Sequence, residues 1–132
     1  MKFVVYGAHK RLGLLQDNQI CDVAGMTAKF LAEQENEAQP IPMSEALTPP
    51  DLEAFIEGGD RALDYARRAA DYLGHAAANR RGVGGEQITF DYGSVPLHAP
   101  KPARGRVAFC GGNFPAHAAA MAVNRGNNEK PP

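Results

Sequence analysis

Three short β-rich runs crowd into the first two dozen residues: KFVVYG at 2–7, RLGLLQ at 11–16 and QICDVA at 19–24. A parallel crossover needs a dozen or more residues, and the gaps here are far shorter, so consecutive runs can only pair antiparallel. Asp17-Asn18 separates the second run from the third. Both residue types tolerate positive φ, which a two-residue hairpin turn demands. The spacing therefore predicts a three-stranded antiparallel meander, and whatever follows must cover one of its faces.

Helical patterns follow. MTAKFLAEQ (26–34) reads as a helix, with the polar stretch ENEAQPIP (35–42) ending it at Pro40. Thr48-Pro-Pro-Asp51 opens the next one, with Thr48 as cap, Pro49 at the first helical position and Asp51 at the positive end of the dipole. Leu52, Phe55 and Ile56 form its apolar face until Gly58-Gly59. Asp60 then caps a longer helix. Ala62, Leu63, Ala66, Ala69, Ala70, Leu73, Ala76 and Ala77 recur there at helical spacing, with Arg61, Asp64, Arg67, Arg68 and Asp71 mostly opposite. After the glycine-rich RRGVGGE (80–86) come a strand candidate QITFDY (87–92), the proline-punctuated VPLHAPKP (95–102) and a strand RVAFC (106–110). The organisation expected is a small α/β (α+β) N-terminal domain over 1–80, a Gly/Pro-rich connector over 81–103, and the beginning of a further domain over 104–132.

Composition narrows the partners. The chain has 132 residues, a formal net charge of −1, 44% hydrophobic and 22% charged residues. This is the make-up of a globular chain of ordinary domain size. A near-neutral balance gives no electrostatic reason to expect nucleic acid or an anionic membrane as partner. No apolar run approaches the roughly 20 residues needed to span a bilayer. Cys21 and Cys110 are the only cysteines and lie in no metal-ligand spacing. A disulfide between them is one reading; two buried thiols in a reducing cytosol is the other and the one expected.

Of the four histidines, His9, His75 and His98 fall in a turn, a long helix and the Pro-rich connector, where structural roles are the rule. His117 differs. RVAFC ends at Cys110, Gly111-Gly112 permits a sharp turn or a close approach to a ligand, and Pro115 suits the first turn of a helix over about 114–123. The positive dipole end disfavours imidazolium, so the His117 ring is expected neutral and ready to accept a proton. The bland alternative is a His that merely caps or packs.

The order of these elements resembles the segment by which fumarylacetoacetate hydrolase family proteins enter their catalytic domain. It is carried by Ala99-Pro100, Pro102, Arg106, Cys110-Gly111-Gly112-Asn113-Phe114 and His117. The opening MKFVVYG, RLGLL and ICDV is similar to that family's small N-terminal domain. The resemblance implies a β-rich catalytic domain after it, in a usually homodimeric enzyme using Mg²⁺ or Mn²⁺. Its substrates would be small β-diketo or other oxo acids, cleaved at a carbon–carbon bond by water, decarboxylated or isomerised. It implies His117 as general base and Gly111, Gly112, Asn113 and Phe114 as substrate-binding residues. Many members carry a Glu three residues after the His; here that position is Ala120, which turns the expectation towards decarboxylation, isomerisation or a different hydrolytic arrangement. The family's metal carboxylates, an ExE pair and a later Asp, have no counterpart in residues 1–132, so the chain reads as a truncated portion, inactive alone and without a metal site of its own. The alternative reading is a non-catalytic, stand-alone binding or assembly module.

Asp and Glu are scattered over helix surfaces without convergent spacing. Calorimetric titration of the 132-residue chain with Mg²⁺ or Mn²⁺ at neutral pH is therefore expected to show no specific site. Micromolar affinity with defined stoichiometry would overturn that expectation.

Overall fold

A computed structural model describes residues 1–75, 77, 79–100, 116, 119 and 120. The expected meander is present. β1 (Lys2–Tyr6), β2 (Arg11–Gln16) and β3 (Gln19–Asp22) pair antiparallel. Asp17 (φ 48°) and Asn18 (φ 61°) close the second hairpin in the left-handed conformation that their short polar side chains tolerate.

Three of the four helices up to His75 fall close to the expected places, with instructive shifts, and the second in the chain is unexpected. α1 (Val23–Gln34) begins three residues earlier than its apolar pattern suggests, because Asp22 caps it and accepts from the Gly25 amide. Val23 and Ala24 are thus helical, not the end of the third strand. Pro40 does not terminate a helix but starts one, α2 (Pro40–Leu47). Pro40 and Pro42 both lie in its first turn, where a missing N–H forfeits no intrahelical bond. Thr48 does not open the next helix but closes α2 as its C-cap, its amide and hydroxyl both donating back to the Ser44 carbonyl, while Asp51 caps α3 (Leu52–Glu57) through the Ala54 amide. Phe55 is buried as expected, whereas Ile56 is 64% exposed. Gly59 (φ +58°) bends the chain directly into α4 (Gly59–His75), which places Asp60 inside the first turn of that helix.

The stretch read as a connector contributes both outer strands. β4 (Thr89–Asp91) pairs with β3 and β5 (Leu97–His98) pairs with β1, giving an antiparallel five-stranded sheet in the order β4-β3-β2-β1-β5. The chain passes from one edge to the other through only five residues, 92–96, part of them a turn closed by Ser94 N–H to the Asp91 carbonyl. In a flat sheet those edges would stand roughly 19 Å apart, about the full reach of six extended residue steps. A chain that turns on the way cannot cover that distance. The sheet must curl.

The curl gives the sheet two unlike faces. Cross-strand partners share a face, so Phe3, Leu14 and Cys21 point one way with Val5 and Leu12. Leu12, Leu14 and Cys21 join Met26, Phe30, Leu31, Phe55, Leu73 and the alanines of α4 in the main core. The expected small-residue face of α4 is therefore real: Ala62, Ala66, Ala69 and Ala70 are buried, which lets α1 lie close against it. On the other face Tyr6 and Phe90 meet with ring centroids 5.3 Å apart, although β2 and β3 run between their strands. Gly13 makes this contact geometrically feasible. A Cβ there would stand 2.4 Å from Ile20 Cγ2 and 2.9 Å from Tyr6 Cδ1.

Gly13→Ala is therefore expected to destabilise the protein by about 1–3 kcal/mol, the usual cost of forcing an extra methyl into filled space. Equilibrium urea unfolding checks this. An unchanged midpoint would mean that the inner face of the sheet is slack.

Candidate functional site

Gly111, Gly112, Asn113, Phe114 and His117 lie outside the described residues. Of the helix expected over 114–123, Ala116, Ala119 and Ala120 are described, and they are helical and exposed. His9 and His75 are exposed. His98 is half-buried on β5, with Nε2 2.8 Å from the Gly7 carbonyl oxygen. A carbonyl only accepts, so this ring nitrogen carries the proton and donates. The Gly7 amide donates in turn to the Pro96 carbonyl at 2.9 Å. Residues 96–98 are thus strapped to the β1–β2 turn immediately before the chain leaves through Ala99 and Pro100.

The chemically richest cluster is one that sequence reasoning did not single out. Asp22 is 5% exposed and accepts four hydrogen bonds. Its Oδ2 receives the Tyr6 hydroxyl (2.6 Å) and Arg11 Nε (2.7 Å); its Oδ1 receives an Arg11 terminal nitrogen (2.9 Å) and the Gly25 amide (2.7 Å). The register explains the convergence. Gly13 stands directly opposite Asp22, and Arg11 lies two residues away on the same face of β2. With no side chain at Gly13, Arg11 reaches diagonally to the carboxylate while Tyr6 leans over the gap. The available signals were an Asp at the head of a helical pattern and a glycine inside an apolar strand.

Electrostatics fix the charge states. Burial alone would push the Asp22 carboxyl up, but the Arg11 guanidinium and the Tyr6 and Gly25 donors together hold it below the ordinary carboxylate range. Burial and the adjacent Asp22 charge push the Tyr6 phenol far above its usual value, so it stays a donor. The Arg11 cation is held more firmly by its bonds to Asp22 than burial disfavours it. Both Asp22 oxygens are committed, and the Arg11 charge matches that of the carboxylate. This is structural chemistry.

Two other buried groups are accounted for similarly. Lys29, 2% exposed, donates to Glu33 at 2.7 Å one helical turn on and approaches Asn79 at 3.4 Å. Cys21 is buried and free, and burial pushes its thiol up, away from thiolate reactivity. Cys110, its possible disulfide partner from the sequence, lies outside the described residues. Among the described residues, no three His, Cys, Asp or Glu side chains come together as a metal site, and no helix is long and apolar enough to cross a membrane. The concave region nearest the exit of the chain is lined by Val5, Lys10, Asp51, Leu52, Glu53, His98 and Ala99. Compared with known proteins, the chain matches no family model and no curated protein.

The Asp22 cluster makes a pH prediction whose sign is fixed. Its folded pKa lies below the unfolded value of about 3.9, so its stabilisation is complete above that pH. It is lost as pH falls through the folded pKa. Asp22→Asn at neutral pH is expected to lower stability towards the lower end of the roughly 3–5 kcal/mol cost of breaking a buried ion pair. The lower end applies because the Arg11 side chain keeps 36% of its surface in water. Urea unfolding at pH 7 and again near pH 3 should show the gap between wild type and variant narrowing in acid. A gap that stays constant would place the pH dependence elsewhere.

Proposed function

We propose that this chain carries the N-terminal unit and the first catalytic elements of a fumarylacetoacetate hydrolase family enzyme. Its reaction would be cleavage of a carbon–carbon bond in a small β-diketo or related oxo acid, by hydrolysis or by decarboxylation, or an isomerisation of the same substrate class. The observation that carries this reading is the order of Ala99-Pro100, Pro102, Arg106, Cys110 through Phe114 and His117, following an opening of RLGLL and ICDV. The antiparallel meander formed by that opening supports it. His117 is the proposed base. Held near the start of a short helix, a neutral imidazole takes a proton from water or from the carbon acid of the substrate. Gly111 and Gly112 let the backbone approach the substrate, with Asn113 and Phe114 beside it. A homodimer is part of the same proposal.

Mg²⁺ or Mn²⁺ would stabilise the charge of an enolate in such an enzyme. The described residues do not fit that ion, since no acidic set converges among them.

A second reading has its own observation. Both edges of the sheet are supplied before Ala99, and every buried side-chain nitrogen and oxygen among the described residues has a hydrogen-bond partner. That favours a unit able to serve as a non-catalytic binding or assembly module. Activity separates the two. The native polypeptide containing this sequence, given a panel of β-diketo acids with Mg²⁺ or Mn²⁺, is expected to turn over at least one of them. His117→Ala should lower kcat by about 10²–10⁴-fold with a smaller change in KM, while His75→Ala leaves both near wild type. Equal losses at His75 and His117 would refute the unique base. No turnover of any substrate would favour the module.

A further inference from the structure

We draw no further inference here: the strongest candidate, the apolar groove beside α2 lined by Ala38, Pro42, Met43 and Ala46, carries nothing because nothing in the structure shows what covers it.

Discussion

One buried carboxylate holds four pieces of backbone in register. Asp22 ends β3, caps α1, and takes hydrogen bonds from Tyr6 at the end of β1 and Arg11 at the start of β2. Because β3 stops there, the next position on β2 has no strand on that side. The Leu12 amide turns instead to the Pro50 carbonyl at 2.7 Å, which draws in the loop before α3. The Asp22 amide likewise donates to the Ile88 carbonyl at 2.8 Å and guides the approach of β4. Burying a carboxylate is costly unless it is paired and fully hydrogen-bonded. Here both conditions are met, so the cluster specifies where the sheet ends and the first helix begins.

Curl is the second constraint, and it depends on the first. Arg11 and Tyr6 reach Asp22 across the bare backbone of Gly13, on the face where Tyr6 also meets Phe90. That contact joins β1 to the β4 edge from inside the curve, while residues 92–96 join β4 to β5 from outside. Short outer strands of three and two residues then leave little open edge for pairing with another chain. The same closure delivers His98 to the Gly7 carbonyl and fixes where the chain departs.

What could be read from the sequence was what is local. The meander followed from gaps too short for a crossover, the Asp17-Asn18 turn from backbone tolerance, and the α4 face from alanine spacing. Misreadings came where one residue type serves two purposes. Pro40 stops a helix in its interior but suits its first turn, and an apolar QICDVA run conceals a cap at its fourth residue. QITFDY was legible as a strand and holds β4, but β5 and the pairing of both edges escaped notice for another reason. Three residues of β4 and two of β5 carry no periodicity of their own, and their pairing comes from sheet edges tens of residues away. The proposed site differs again: its motif is legible in residues 99–117, but those carrying the chemistry lie outside the described residues.

Structure and proposed chemistry therefore rest on different residues. Asp22, Arg11 and Tyr6 are charged and polar, yet the buried carboxylate is taken up by its own neighbours and serves the fold. A catalytic group needs the opposite condition, an unsatisfied proton or lone pair held where a reacting atom can come. His98 has its Nε2 proton committed to the Gly7 carbonyl, where it anchors β5. Cys21 does not meet that condition, because burial keeps its sulfur protonated. His9 and His75 are exposed on a turn and at a helix end, and neither forms an ion pair among the described residues. The Gly111-Gly112 pair ahead of His117 is where the sequence offers glycines close to a titratable ring. On this reading the N-terminal fold acts as a scaffold whose contribution is positional: it ends in a strap at residues 96–98, and the proposed chemistry begins past it.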